Sequence, residues 1–160
     1  PLAGETSVSG HNGGKTVFED EAVRLWTLDG GPMAEVLILS IRTKVHAIGP
    51  GVVNGLLKAI ELAESQAREA LAMLGDRVDH LDEIGNAQLV LGNSLLEQDR
   101  LEEAADCFAA AEASFDQISS VSHRAAAWMA QGDLAGRQGD DRQSARLYRR
   151  AAETLQDFHF

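Results

Sequence analysis

Apolar residues recur at helical spacing through the last two thirds of the chain. Between Val53 and Leu74 they return every three or four residues, which predicts one helix of about six turns that ends at Gly75. Shorter patterns of the same period predict four more helices, over 81–98, 101–118, 123–138 and 142–158. We therefore expect a mainly α fold, with a helical-repeat domain over 51–160.

Before residue 51 the pattern favours strands. There are two apolar runs, 22–28 and 35–45, and the second is rich in β-branched residues and lacks the helical period. The Asp29-Gly30-Gly31-Pro32 segment between them is typical of a turn. These features predict a β-hairpin and loop over 17–50, while a pair of short helices remains the alternative for 22–45. Because a two-stranded hairpin is marginally stable alone, we expect a helix or a second copy of the chain to cover its apolar face.

The first 16 residues are rich in Gly, Ser, Thr and Asn and hold few apolar side chains, which predicts a flexible leader over 1–16. Its closing Gly14-Lys15-Thr16 lacks the first glycine of a phosphate-binding loop, since Ser9 occupies that position. The chain begins with Pro1 and not with Met. We therefore expect a fragment or a processed product whose function lies partly outside this sequence.

Candidate N-caps precede the four shorter helices. A short polar side chain at that position accepts a hydrogen bond from a free N–H group of the first helical turn. The Asp99/Glu102 and Asp140/Gln143 pairs also have the spacing of a capping box, with Asp in place of Ser or Thr. The predicted caps are Asp79, Asp99, Ser122 and Asp140.

The last four predicted helices form two copies of one 40-residue pattern. Gly92 of the first copy corresponds to Gly132 of the second, and Phe108 corresponds to Tyr148. Glycine lets the two helices of a pair approach closely, and the aromatic side chains are expected to fill the space between pairs. The pattern predicts antiparallel helical hairpins that pack on one another.

Over about residues 80–158 this repeat resembles the tetratricopeptide (TPR) family. The family pattern is Trp-x2-Leu-Gly-x2-Tyr followed by Ala-x3-Phe, and one copy matches it with Trp128 and Gly132. The period of 40 exceeds the usual period of about 34, and we expect the extra residues in the second helix of the pair and in the 119–122 loop. The resemblance implies a piece of an α-solenoid. The other copy matches the pattern with Leu91, Gly92, Ala104 and Phe108.

In TPR proteins the first helix of each pair lines a concave groove that binds a partner. The resemblance therefore implies a protein–protein interaction or dimerisation module, which binds a peptide, a protein or a second copy of this chain in a homodimer. It also implies the regulatory part of a larger protein, such as a bacterial transcriptional regulator. The candidate partner-binding residues are Asn86, Asn93, Glu97, Met129, Asp133 and Arg137.

A clamp for a terminal carboxylate, which some TPR proteins have, is not expected. Leu89 and Ala130 occupy positions where that clamp needs a basic residue and an asparagine. The alternative interpretation of Asn93 and Asp133 is that they are solvated polar positions on a helix face.

A second resemblance covers about residues 18–64. The order of hairpin, then the Arg42-Thr43-Lys44-Val45-His46-Ala47-Ile48-Gly49-Pro50 loop, then a helix from Val52 is similar to the opening of a crotonase (enoyl-CoA hydratase) domain. In that family this loop supplies one backbone N–H of the oxyanion hole, a role that falls near Ala47. The second donor loop and the acid/base glutamates are missing. The alternative function is therefore a truncated acyl-CoA-binding fragment without catalytic residues.

The chain carries 14 basic and 25 acidic residues, a net charge of −11. This charge disfavours binding to nucleic acid or to an anionic membrane. The stretch from Glu61 to Asp116 holds 14 acidic and 3 basic residues and so accounts for the whole net charge. A basic patch follows, which either faces an acidic partner or a phosphate, or forms ion pairs with Glu153 and with the acidic repeat. The patch comprises Arg142, Arg146, Arg149 and Arg150.

No catalytic, metal or cofactor site is predicted. The five histidines lack the spacing of a zinc site, and the acidic cluster around His80 is expected to be a solvated helix start. Cys107, beside Phe108, is expected to be a small core residue and not a nucleophile. The single cysteine, the lack of a signal peptide, and apolar runs far shorter than the about 20 residues of a membrane span indicate a soluble cytoplasmic protein.

Overall fold

The computed structural model of the protein describes residues 14–28, 36–43 and 48–156. The chain divides into two compact units, Pro1–Ala59 and Ile60–Phe160, and the boundary lies inside helix α1 (Pro50–Leu74). Helix α1 begins next to residue 51, the predicted start of the helical domain. Each unit buries apolar side chains of its own.

The first unit contains a three-stranded antiparallel sheet in the order β1–β2–β3. Its strands are β1 (Gly14–Glu19), β2 (Val23–Leu28) and β3 (Ile38–Ile41), and Trp26 of β2 pairs with Thr16 on one side and Ile38 on the other. Strands β2 and β3 lie within the two runs of the predicted hairpin. The hairpin is therefore confirmed, and the alternative of two short helices is wrong. The predicted turn at 29–32 lies outside the described residues.

Strand β1 was not predicted, and it begins inside the segment expected to be a flexible leader. The expectation of flexibility is wrong for residues 14–16, while residues 1–13 lie outside the described residues. Asp20 shapes the turn that follows β1, because its Oδ1 accepts the backbone N–H groups of Ala22 at 2.7 Å and of Val23 at 2.8 Å. The turn places β1 beside β2, where backbone hydrogen bonds hold a largely polar strand that has little apolar surface to bury.

Helix α1 supplies the predicted cover for the sheet. Val23 and Leu25 of β2 are fully buried, and Val52 of α1 is 1 % exposed. A Cβ added at Gly55 would lie 2.3 Å from Val23 Cγ2, and one at Gly51 would lie 2.7 Å from the Ala22 Cβ. Glycine at these two positions therefore allows the first turns of α1 to lie directly against β2.

The second unit consists of helices, as predicted. After α1 and a short 3₁₀ turn, Val78–His80, come α2 (Leu81–Glu97), α3 (Leu101–Gln117), α4 (Val121–Arg137) and α5 (Asp141–Gln156). The four shorter helices agree with the predicted bounds within two residues, α1 begins three residues before Val53, and the mainly α prediction is confirmed. Helix α2 packs on α3, α4 on α5, and α3 on α4, so two helical hairpins lie side by side. Within the described ranges, no helix has the length and apolarity needed to cross a membrane.

Helices α2 to α5 begin 20 residues apart, at residues 81, 101, 121 and 141. Each turn between them has three residues, and the middle residue adopts a left-handed backbone: Asp99 with φ 61°, Ser119 with φ 53° and Gly139 with φ 80°. The following N–H then bonds back to the preceding helix, as Arg100 does to the Leu95 carbonyl at 3.0 Å. Helices α2 and α3 have 17 residues each, and the connection after α3 has three residues like the other two, so the expected longer 119–122 loop is wrong.

The same turns decide which residues cap the helices. Asp140 is a cap, as predicted, because its Oδ1 accepts the backbone N–H of Gln143 at 2.9 Å. The other three predicted caps and the Asp99/Glu102 capping box are wrong, because a different residue without a side-chain cap hydrogen bond precedes each helix. Those residues are His80 in place of Asp79, Arg100 in place of Asp99 and Ser120 in place of Ser122.

Both hairpins contain the predicted close approach at a glycine. Phe108 is fully buried, and a Cβ added at Gly92 would lie 2.4 Å from its ring. In the second hairpin a Cβ at Gly132 would lie 3.3 Å from the Tyr148 ring, which is 40 % exposed. Phe108 also packs in a cluster with Ala130 of α4, so it fills the space between the two hairpins. Tyr148 does not, and that part of the prediction is wrong.

Candidate functional site

A cleft of about 450 Å³ opens between the last turns of helices α2 and α4. These are the first helices of the two hairpins, which the TPR resemblance makes the partner-binding surface. Leu96 and Gly136 form part of the lining. Four of the six residues predicted to bind a partner complete it: Asn93 and Glu97 on α2, and Asp133 and Arg137 on α4.

The lining residues occupy equivalent positions of the two 40-residue copies. Because helices α2 and α4 have equal length and are followed by the same turn, stacking of the hairpins places the same turn of each helix side by side. The cleft is therefore a product of the repeat. The equivalent pairs are Asn93 with Asp133, Leu96 with Gly136, and Glu97 with Arg137.

Glu97 and Arg137 connect the two walls of the cleft. The Arg137 Nη2 donates to both oxygens of the Glu97 carboxylate, each at 3.2 Å. The Glu97 side chain is 53 % exposed and the Arg137 side chain is 46 % exposed. An exposed ion pair contributes about 0.2–1 kcal/mol to stability, so a charged group of a ligand can replace either partner with little loss.

Asp133 is held in place by the neighbouring helix. The Tyr148 hydroxyl on α5 donates to Asp133 Oδ1, and the Tyr148 ring lies against Gly132, the residue before Asp133. The hydrogen bond to this carboxylate, together with partial burial and the nearby negative charge, raises the pKa of Tyr148. Tyr148 therefore remains a hydrogen-bond donor at neutral pH, and it fixes the orientation of the Asp133 carboxylate.

Leu96 and Gly136 form the apolar part of the cleft lining. Leu96 is only 4 % exposed. A Cβ added at Gly136 would meet nothing closer than Ser144 Oγ at 3.7 Å. The glycine therefore leaves open space, in contrast to Gly92, which permits a close helix contact. The lining combines this apolar part with two carboxylates, one amide and one guanidinium.

The other two predicted partner-binding residues lie outside the cleft. Asn86, two turns before Asn93 on α2, is exposed. Met129, one turn before Asp133 on α4, is 40 % exposed. Both residues lie on the two helices that form the cleft, but neither contributes to its lining.

The predicted basic patch divides on helix α5. Arg142, Arg146 and Arg149 are exposed. Arg150 is also 53 % exposed, but its guanidinium carbon lies 3.8 Å from the centroid of the Trp128 ring on α4. For Arg150 the structure favours the second of the two predicted alternatives, a contact with the preceding acidic repeat.

That contact involves Glu112, a residue that joins the two hairpins and that sequence reasoning missed. Its carboxylate accepts hydrogen bonds from Trp128 Nε1 at 2.6 Å and from Gln131 Nε2 at 2.8 Å, and Arg150 Nη1 lies 3.9 Å away. The signal that could have found it is the tryptophan itself, because a buried indole needs an acceptor for its N–H. A carboxylate on the facing helix α3 is that acceptor.

A second polar network, also missed, surrounds Glu64 of α1. Its carboxylate accepts hydrogen bonds from Gln98 at 2.6 Å, from Arg68 at 2.8 Å and from Arg100 at 2.8 Å. The bonds from Gln98 and Arg68, followed by that from Arg100, lower the pKa of Glu64 to about 2. Arg100 also donates to Glu103 at 2.6 Å, so the network joins α1 to the first turn of α3. None of its members lines the cleft.

No cluster of three or more potential metal ligands occurs in the ranges that the structure describes. His80 lies between Asp79 at 3.4 Å and Glu83 at 3.5 Å, at the start of α2. Cys107 is half-buried beside the core, and burial raises the pKa of its thiol, which agrees with the prediction of a small core residue. Ala47, the oxyanion position of the alternative function, lies outside the described residues.

Comparisons with protein-family profiles, with curated protein sequences and with solved structures gave no match to this chain. The cleft and the two sequence resemblances are therefore the basis on which a function is proposed.

Proposed function

We propose that the helical unit is a protein–protein interaction module and that a peptide segment of its partner binds in the cleft between α2 and α4. One observation carries the proposal. Four residues predicted to bind a partner from the TPR resemblance line a single cleft, and equivalent positions of two hairpins form it.

The chemistry of the lining supports binding over catalysis. The six lining residues include no histidine, cysteine, serine or lysine. Both carboxylates are engaged, Glu97 by Arg137 and Asp133 by the Tyr148 hydroxyl. An amide, polar side chains and apolar residues on packed helices are suited to holding an extended peptide.

We place this module in the cytoplasm, as the regulatory part of a larger protein such as a bacterial transcriptional regulator. The TPR resemblance and the single, half-buried Cys107 support this placement. The net charge of −11 argues against nucleic acid as the ligand of this segment. A second copy of the chain is the other candidate partner.

Selection of peptides from a random display library, followed by calorimetry, tests the proposal. We expect selected peptides to bind the wild-type chain and to lose at least about tenfold in affinity, or about 1.4 kcal/mol, with Asn93→Arg. Asn93 is exposed, so the variant should fold while its long side chain fills the cleft. The control is Gln117→Arg, which makes the same change of charge at an exposed position on α3 and should leave the affinity unchanged.

Three other results would count against the cleft. Equal affinity losses in the two variants would place the binding surface elsewhere. A concentration-dependent mass in sedimentation, without peptide binding, would favour self-association. Calorimetric binding of an acyl-CoA thioester, with no selected peptide sensitive to Asn93→Arg, would favour the alternative acyl-CoA-binding fragment.

A further inference from the structure

The charge of the cleft is uneven, and this selects a class of ligand. Its carboxylates, on Glu97 and Asp133, outnumber its one cation, Arg137, and that cation already donates to Glu97. Asp133 accepts a hydrogen bond from the neutral Tyr148 hydroxyl, and it forms no ion pair within the described part of the chain. The unbalanced charge of the cleft is therefore −1, and it lies on Asp133.

The charge along the α2 wall has the same sign, whereas helix α5, which packs on the α4 wall, carries the exposed Arg142, Arg146 and Arg149. The stretch from Glu61 to Asp116, which includes the α2 wall of the cleft, holds 14 acidic and 3 basic residues. At physiological ionic strength such a field acts over about 8 Å. It raises the local concentration of cationic groups and lowers that of anionic ones.

The shape of the cleft suits a long side chain with a charged end. Leu96, which is 4 % exposed, and the exposed Gly136 form the apolar part of the lining, and Asp133 lies one turn before Gly136 on α4. Arginine and lysine side chains have the matching layout, because they bury a methylene stem along apolar surface and keep the charged head in polar surroundings.

We infer that the cleft binds an arginine or lysine side chain of the partner peptide, with its stem over Leu96 and Gly136 and its head at Asp133. This inference rests on the proposed function, since it assigns the ligand class of the same cleft. Arginine fits better than lysine, because a guanidinium donates two parallel hydrogen bonds to one carboxylate. An acidic side chain would have to displace Glu97 from Arg137 and would then face the charge of Asp133.

Three capped peptides of sequence Ala-Ala-Xaa-Ala-Ala, with Arg, Leu or Glu at the centre, test this inference by NMR titration of the nitrogen-15-labelled chain. We expect the Arg peptide to shift the backbone signals of Asn93, Asp133 and Gly136. It should bind about tenfold or more tightly than the other two peptides, as a charge-assisted hydrogen bond implies. Added salt should weaken its binding, because the contact is electrostatic.

Asp133→Asn should lower the affinity for the Arg peptide about tenfold. The asparagine keeps an acceptor for the Tyr148 hydroxyl, so the variant should retain the fold. The matched control, Asp106→Asn, makes the same change at an exposed position of α3 outside the cleft and should have no effect.

Binding of the Glu peptide at least as tight as that of the Arg peptide would overturn the inference, as would the absence of shifts at the cleft with millimolar Arg peptide. The display-selected peptides separate this failure from that of the proposed function. A peptide that is sensitive to Asn93→Arg, but keeps its affinity when its Arg and Lys residues become Gln, leaves the module in place and rejects the cationic ligand. If the selected peptides are insensitive to Asn93→Arg, both the peptide-binding cleft and its cationic ligand are rejected.

Discussion

At the scale of the residue, the two glycines at equivalent positions of the hairpins have different roles. A Cβ at Gly92 would lie 2.4 and 2.6 Å from the Phe108 ring and 3.2 Å from the Cys107 Cβ, inside a fully packed region. A Cβ at Gly132 would meet the Tyr148 ring first, at 3.3 Å, and that ring is 40 % exposed, so a shift of a few tenths of an ångström suffices. At this position of the repeat, the first hairpin requires glycine for its packing, whereas the second has room for a larger residue.

Gly92→Ala is therefore expected to destabilise the protein by about 1–3 kcal/mol, because the added methyl group overpacks the core. Gly132→Ala should be neutral or stabilising by up to about 1 kcal/mol, since alanine favours the helix interior over glycine. Urea denaturation of the two variants beside the wild type measures both effects. Equal changes in the midpoint would show that the close contact at Gly92 does not limit the packing.

At the scale of the element, the left-handed residue in each turn sets where a helix ends. Asp99 and Gly139 occupy equivalent turns, with φ of 61° and 80°. A left-handed backbone carries a steric penalty of up to roughly 1–2 kcal/mol for a residue with a Cβ, smaller for Asp than for most residues, and glycine avoids it. The turn after α2 therefore holds strain that the turn after α4 lacks.

Asp99→Gly should accordingly stabilise the protein, by about 0.5–1 kcal/mol once the greater chain entropy of glycine is subtracted. Asp140→Ala should have the opposite effect and destabilise by about 1 kcal/mol, because it removes the acceptor for the Gln143 N–H. Thermal unfolding followed by circular dichroism distinguishes the two. If Asp99→Gly destabilised as much as Asp140→Ala, the Asp99 side chain would be acting as the cap that the sequence predicted.

Elements whose stability depends on their own segment were predictable from the sequence, and those that depend on a distant segment were not. The helices were predicted closely because their apolar period lies within each segment. Strand β1 was missed because its stability depends on β2, a partner that its own pattern does not reveal. Asp99 was misassigned because aspartate suits both an N-cap and a left-handed turn, and only the preceding helix end decides between them.

The cleft shows the same division. Asn93, Glu97, Asp133 and Arg137 were candidates because the resemblance to the TPR family implied a groove along the first helix of each hairpin. The pairing of Glu112 with Trp128, and of Glu64 with Gln98 and Arg100, was not predictable, because it joins side chains from different helices that no period relates.

At the scale of the whole molecule, the acidic residues make the stability depend on pH, and Glu64 contributes an identifiable part of that dependence. Its pKa is about 2 in the folded protein and 4.5 in the absence of its partners. A lowered pKa means that the stabilisation is complete above pH 4.5 and is lost as the pH falls from 4.5 toward 2. The Glu64 side chain is 16 % exposed, and its partners Arg68 and Arg100 are more exposed. Because solvent screens the partners, we expect Glu64 to contribute about 1–2 kcal/mol to the free energy of unfolding.

Glu64→Gln should therefore lower the free energy of unfolding by about 1–2 kcal/mol at pH 7. The difference from the wild type should shrink between pH 4.5 and pH 2, where the wild-type carboxyl becomes protonated. Urea denaturation across this pH range measures it. Glu69→Gln, at an exposed position of the same helix, should show neither effect. A pH-independent difference would mean that Glu64 acts through its shape and not through its charge.

The even spacing of the four helix starts also limits how this protein can tolerate insertions and deletions. One residue added within α2 or α4 would rotate the rest of that helix by about 100°. The residues that line the cleft and those that face the core could then not both remain in place. One residue added to a three-residue turn would break the N–H bond that closes it, such as that from Arg100 to Leu95. Between Leu81 and Gln156 the number of residues is therefore constrained as strictly as their identity, and length variation is compatible with this architecture only in whole hairpins.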